Sequence, residues 1–317
     1  MNKSIKKIKK AVILAGGLGT RFLPATLALA KELFPICEKP ILMYHIEDLI
    51  KAGITEVLII GNKLKEDSFN SFINPSNEYL DKIKKDNKLS FLDSYNSLKS
   101  SLNDLSYINQ EIGSDYLRQH KNLDVEQRGS SIAILACKDW VKDEPFLVFN
   151  GDDFLEYPSG ESVSKSLVDL YAETGDNIVF GREVNLDDIY KYSSISLAEK
   201  LKVKNSYKIH DIIEKPKKEE APSNIMGFAR YVFNSEIFDK ILNSSPRANG
   251  EYCITDVISE LAKENKVSTY IFDGHYFDCG SKLGLQMAGN YLLMKDSNNR
   301  KLLIDEFERI LKSFNEK

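Results

Sequence analysis

Residues 10–21, KAVILAGGLGTR, carry an apolar stretch straight into a turn with three glycines. A segment apolar at consecutive positions is buried on both faces, which places it inside a parallel sheet covered by helices. The glycines after it leave backbone N–H groups uncovered by any Cβ, and a concavity of that kind suits a phosphate or a base edge. The chain is thereby directed to an α/β fold with an anion site at a strand end.

The remainder keeps that rhythm. Pro40 opens a helix with Leu42, Ile46, Leu49 and Ile50 on one face and Gly53 beyond its end, and EVLIIGN (56–62) is a second buried strand. Strand, helix and strand in this order form a right-handed parallel crossover. Residues 63–113 are polar and helical in pattern, more than a crossover needs, and read as a helical insertion. Strands follow at 115–119 (DYLRQ), 145–155, 176–184, 207–216, 225–233 and 267–273. Helices are expected at 130–141, 161–174, 235–243, 254–264, 282–296 and 300–314. The pattern predicts a Rossmann-like, mixed but mostly parallel sheet flanked by helices, in one domain over 1–317. The helical region at 282–317 would pack on that domain or on a second subunit.

A net charge of −4 predicts no broad basic surface, which argues against nucleic acid as a partner. No apolar stretch approaches the roughly 18 residues that span a bilayer, so no membrane is expected. Cys37, Cys137, Cys253 and Cys279 are scattered without a CxxC pair and fit free thiols in a reducing cytoplasm.

Two familiar phosphate loops fail at the glycine turn. The third glycine of GxGxxG falls on Phe22, and no GK[ST] tripeptide occurs. What remains is G-x-G-T-R, then LPAT, Lys31-Glu32, Pro35 and Lys39-Pro40. This series resembles the signature of the sugar-1-phosphate nucleotidyltransferases, most closely the bacterial UTP–glucose-1-phosphate uridylyltransferases. FLVFNGDD, IIEKPKKEEAPSN, ARYVF, ITDVI and FDCGSKLG extend the likeness along nearly the whole chain. The insertion at 63–113, which thymidylyltransferase relatives lack at that place, favours uridine.

The resemblance implies attack by a glucose 1-phosphate oxygen on the α-phosphorus of UTP, with pyrophosphate leaving. Arg21 and Lys31 then serve the triphosphate, since a guanidinium and an ammonium beside a glycine turn suit a polyphosphate. Asp152, at the end of a buried strand, is the implied Mg²⁺ ligand, with Asp278 as a second. Glu214 and Lys215 of the EKP tripeptide correspond to the sugar-phosphate grip. The base is expected on Ala15 and Gly16, beside Gly17, Gly19, Thr20 and Glu32, and is completed by Gln119 with Gln127 as its rival. Gly129 opens GSSIA where the family has GLGHA, and Tyr192-Ser193-Ser194 stands where the family has Y-G-V. An oligomer, dimer or tetramer, is implied as well. The second reading of the same residues is a catalytically impaired paralogue, or an enzyme for another nucleotide or sugar.

Overall fold

The computed structural model describes residues 5–124 and 126–315; the ends of the expected 1–317 domain, and Val125, lie outside the described residues. Strand β1 (Lys10–Ala15) leads through the glycine turn to a short ribbon, β2 (Pro35–Ile36) with β3 (Lys39–Pro40), and helix α1 (Ile41–Lys51). After β4 (Glu56–Gly61) come α2 (Glu66–Ile73), α3 (Asn77–Lys85) and α4 (Asp93–Ser100). Strand β5 (Asp104–Asn109), α5 (Glu111–Lys121), α6 (Ser130–Leu135) and α7 (Lys138–Val141) follow, then β6 (Phe146–Asn150) and β7 (Asp153–Glu156). The chain continues through α8 (Val163–Thr174), β8 (Asn177–Glu183), β9 (Ser193–Lys200), β10 (Ser206–Glu214) and β11 (Ile225–Phe233). It closes with α9 (Glu236–Asn243), α10 (Ile254–Lys263), β12 (Val267–Ile271), β13 (His275–Asp278), α11 (Lys282–Lys295) and α12 (Ser297–Asn315).

Nine strands form one sheet in the order β5-β4-β1-β6-β11-β8-β12-β10-β9. Strands β5, β4, β1 and β6 run parallel, whereas β11 is antiparallel to both β6 and β8. Each buried strand feeds two cores by alternation. Ile13, Ile59 and Phe149 face one apolar layer with Leu42, Ile46 and Leu167, on the side of α1 and α8. Val12, Leu58 and Val148 face the other layer with Ile134, Ile237 and Val257, on the side of α6, α9 and α10. Each fully buried Phe or Ile here contributes roughly 1.5–3 kcal/mol over exposure, which is why these strands are apolar at successive positions.

Three expectations change. The stretch 63–113 is helical through Ser100 and again from Glu111, but Asp104–Asn109 between them is a strand extending the sheet from β4. It is half-buried throughout at the sheet edge, with only Leu105 and Tyr107 turned to one core between polar residues. DYLRQ is not a strand but part of α5, which buries Gly113, Ser114 and Leu117 at helical spacing. Ser193–Lys200 is an unforeseen edge strand. Helix α1 buries Leu42, Ile46 and Leu49 as expected, and also Ile41, Met43 and His45. No helix among the described residues is long and apolar enough to cross a membrane.

Candidate active site

The parallel half of the sheet ends its strands β1 and β6 side by side, and loops leave both at the same edge. That edge is where open α/β sheets receive ligands. The glycine turn is held from several directions. Gly19 takes φ +66°, the Thr26 hydroxyl donates to its carbonyl at 2.9 Å, and the buried ammonium of Lys65 donates to the Thr26 carbonyl. Gly17 lies against the Lys31 stem, with Cε 3.2 Å from where a Cβ would stand. The backbone is exposed at Gly17 and Thr20 yet fixed behind.

Lys31 turns inward and joins Asp152 by a hydrogen-bonded ion pair, with Glu32 Oε1 3.0 Å away. The Glu32 carboxylate is fully buried, with the Lys31 ammonium as its nearest opposite charge. Burial pushes Glu32 up to about 7 against the pull of Lys31. For Lys31 burial opposes the charge, but Glu32 and Asp152 hold its ammonium above the ordinary lysine value. The lysine is thus a charged group poised between two carboxylates.

Strand β7 begins immediately after Asp152 and pairs with β13, setting Asp153 opposite Asp278. Arg21 reaches over from the turn, its Nη1 3.7 Å from Asp278 Oδ2 and 3.5 Å from the Gly280 carbonyl. Gly280 separates the two candidate metal carboxylates: a Cβ there would lie 2.4 Å from Asp152 Oδ2 and 3.0 Å from Asp278 Oδ1. Only glycine leaves that gap open. Asp153 is buried but lines the same cavity and accepts from the Tyr276 hydroxyl at 3.0 Å. Burial, then the charge of Asp152, pushes it up to about 7.

A cavity of about 390 Å³ runs from Arg21, Asp152 and Asp278 to a far wall built by Tyr192, Ser193, Glu214, Gly227 and Thr255. Glu214 is held there by the Thr255 hydroxyl at 2.9 Å. Lys215 takes φ +48°, its N–H bonding the Tyr192 carbonyl at 2.9 Å, and its side chain stays exposed beside this wall. The Ser193 hydroxyl donates to Gly227 O at 2.9 Å, so the wall carries a side chain where the family motif has none.

The structure therefore gathers Arg21, Asp152, Asp278 and Glu214 around one cavity, with Lys31 bound to Asp152 and Lys215 exposed next to Glu214. It does not bring Gln119 there. That residue is exposed on α5, away from any strand end. Gln110, directly after β5, is the glutamine that lies against the glycine turn: its Oε1 is 1.9 Å from the ideal Cβ position of Gly16. The signal was present, since a strand ending in Gln beside β4 is the arrangement sought, but the Arg-Gln pair at 118–119 imitates it. Gly129 is a position only glycine fits, with φ +125° and a Cβ that would strike the Tyr252 carbonyl at 2.3 Å. Gln127 donates its N–H to Ser114 Oγ at 2.8 Å, fastening the loop before Gly129 to α5.

Comparison with known proteins agrees with this geometry. Residues 10–293 match the family model described as nucleotidyl transferase. The chain is 33% identical over 306 residues to UTP–glucose-1-phosphate uridylyltransferase 2 of Staphylococcus saprophyticus, covering 96% of this chain and 99% of that one. It is 35% identical over 292 residues to UTP–glucose-1-phosphate uridylyltransferase of Staphylococcus epidermidis, covering 92% and 94%. Among solved structures, a UDP-glucose pyrophosphorylase complexed with UDP-glucose superimposes with TM-score 0.77 at 30% identity, over 91% of this chain and 100% of that one. A UTP-bound UGPase from Acinetobacter baumannii gives 0.79 at 25% identity, over 96% and 98%.

Proposed function

The chain belongs to the nucleotidyl transferase family, and from that premise we propose that it transfers the uridylyl group of UTP to glucose 1-phosphate, giving UDP-glucose and pyrophosphate. The observation that carries this reading is the convergence of Arg21, Asp152, Asp278 and Glu214 on one cavity under the glycine turn. The likeness to relatives named for this reaction extends over nearly the full length of both chains.

In the proposed reaction a phosphate oxygen of glucose 1-phosphate forms a bond to the α-phosphorus of UTP. The bond from that phosphorus to the α–β bridging oxygen breaks, and its electron pair leaves on pyrophosphate. Such a transfer needs alignment and neutralised charge more than covalent help. The turn from Gly16 to Thr20 supplies backbone N–H groups, and the uracil lies on Ala15 and Gly16 with Gln110 completing its edge. Arg21 meets the charge growing on the leaving group. Lys31, released from Asp152 as phosphate oxygens arrive, binds the triphosphate. Glu214 accepts hydrogen bonds from sugar hydroxyls, and Lys215 swings in to hold the phosphate of the nucleophile.

Magnesium fits the donor set. The gap at Gly280 separates two carboxylates, and one or two carboxylates completed by phosphate oxygens and water is the preferred Mg²⁺ environment. Among the described residues no group of three His, Cys, Asp or Glu side chains forms a closed metal cage. Asp152, with Asp278, would hold the ion, which when bound neutralises the transferred and leaving phosphates. We further infer a cytoplasmic enzyme, on the strength of four unpaired cysteines, and a homo-oligomer, on the exposed Leu302, Leu311 and Phe314 of α12.

The test is pyrophosphate release by purified protein with Mg²⁺, glucose 1-phosphate and UTP, dTTP, CTP or GTP in turn. Release is expected fastest with UTP. A faster rate with another nucleotide would reassign the base pocket, and no release with any would favour an impaired paralogue.

A further inference from the structure

Arg230 has the largest side chain among the fully buried residues, and it lines no part of the cavity. A guanidinium removed from water is costly unless its donors are occupied and its charge is opposed. Here Nη1 donates to Asp48 Oδ2 at 3.0 Å and to Ser164 Oγ at 3.2 Å, and Nη2 lies 3.3 Å from His45 Nδ1, while Nε is buried without a hydrogen-bond partner among the described residues. The guanidinium carbon sits 4.2 Å from the centre of the Phe149 ring, a cation–π distance. Asp48 in turn accepts the Val163 and Ser164 N–H groups at 2.8 and 3.1 Å, capping α8. One side chain thus ties α1, α8, β11 and β6 together.

The position of this knot in the chain gives it a second consequence. Phe149 is cross-strand partner to Arg230 and is the third residue before Asp152. Arginine only donates, so His45 Nδ1 must accept and its proton sits on Nε2. Burial, then the neighbouring Arg230, pushes His45 down to about 3, keeping it neutral. The His45 ring centre stands 5.9 Å from that of Phe149, and its buried Nε2, near the Gly151 backbone, makes no formed hydrogen bond among the described residues. From above, the same turn is closed in: a Cβ on Gly151 would meet Glu32 Cγ at 2.8 Å and the Leu14 carbonyl at 3.1 Å. The segment Asn150–Asp152 is therefore clamped between Glu32 and Leu14 on one side and the Phe149–His45 pair, held by Arg230, on the other.

We propose that Arg230 is a positioning residue for the transfer: acting through Phe149 and His45, it fixes the end of β6 so that the Asp152 carboxylate stands at the Gly280 gap. The proposal rests on the reading of Asp152 as a metal ligand. An error of about 1 Å in a reacting group can cost up to about 10²-fold in rate, so a loosened strand end should be visible in kinetics without unfolding the protein.

The test uses Arg230→Lys, which keeps a positive charge but loses the fork and the stacked plane. Free Mn²⁺ is read by electron paramagnetic resonance on the full-length protein with UTP and no sugar, beside steady-state kinetics and thermal melting. The expected result is a melting temperature within a few degrees of wild type, Mn²⁺ Kd raised at least fivefold, kcat down about tenfold and KM for UTP within twofold. A folded Arg230→Lys with wild-type Mn²⁺ Kd and kcat overturns the proposal. If that variant does not fold, His45→Phe removes the contact beside Gly151 and leaves the Arg230–Asp48 pair. It should raise the Mn²⁺ Kd about threefold, and an unchanged value in the folded protein overturns the proposal equally. Asp152→Asn, measured alongside, separates the two layers: wild-type Mn²⁺ affinity in that variant would remove the metal reading itself.

Discussion

The two ends of the cavity are built on different terms. At the end proposed for the phosphates, Arg21 faces Asp278 and Lys31 pairs with Asp152, and Gly17, Gly19 and Gly280 keep their approaches open. At the wall proposed for the sugar, and around the proposed base site outside that wall, the chain departs from the motif: Ser193 fills space against Gly227, α5 intervenes between Gln110 and Gly129, and Ser131 replaces a glycine and is buried without a hydrogen-bond partner for its hydroxyl among the described residues. The difference follows from what each end must recognise. Polyphosphate and metal demand particular charges at particular points, and few substitutes exist. A base edge or a sugar hydroxyl can be met by backbone or by any of several polar groups, so different chains can meet the same need.

If that division is right, damage to the phosphate end should cost far more than damage to the other. Asp152→Asn should lower turnover by on the order of 10³ while thermal melting stays close to wild type. Near-normal turnover in that variant would take the metal role from this residue. Next comes Arg21→Gln, whose exposed side chain makes a folding defect unexpected; its kcat should fall by about 10², with KM for glucose 1-phosphate little altered. A change in KM alone would move Arg21 to ground-state binding.

The base end predicts a smaller loss. Gln110→Ala should reduce the preference for UTP over CTP about tenfold, the worth of one hydrogen bond of about 1.4 kcal/mol, whereas Gln119→Ala should leave it unchanged. The reverse result would restore Gln119 to the pocket and place α5 differently.

The smallest effect concerns stability. Glu32 is raised in the folded protein from 4.5 to about 7 by burial, so folding favours its protonated form. Its contribution is fully present below pH 4.5 and is lost as pH rises through about 7. Glu32→Gln has no such loss. Between pH 5 and pH 8 the melting temperature of wild type should therefore fall by a few degrees relative to the variant. A constant gap would mean that Lys31 already compensates the charge.

The same division explains what could be read from the chain alone. The strand–turn at 10–21, Asp152 at the end of FLVFN, Asp278 and Glu214 are each a chemical type at a strand end, and both features are local in sequence. Gln110 was passed over because its strand is short, half-buried and flanked by polar residues, and because Arg118-Gln119 imitates the motif a few residues later. Lys65 and Arg230 were illegible for another reason. A buried cation has meaning only through its partners, and those lie 39 residues away at Thr26 and 182 away at Asp48.

The central claim is that the α-phosphorus of UTP changes partners in this cavity. UTP labelled at the α- or the γ-phosphate, incubated with Mg²⁺, glucose 1-phosphate and the enzyme, reports this directly. The account predicts α-label in UDP-glucose with none in pyrophosphate, and γ-label in pyrophosphate alone. Label from the γ-position appearing on the sugar, or α-label released as UMP, would contradict it.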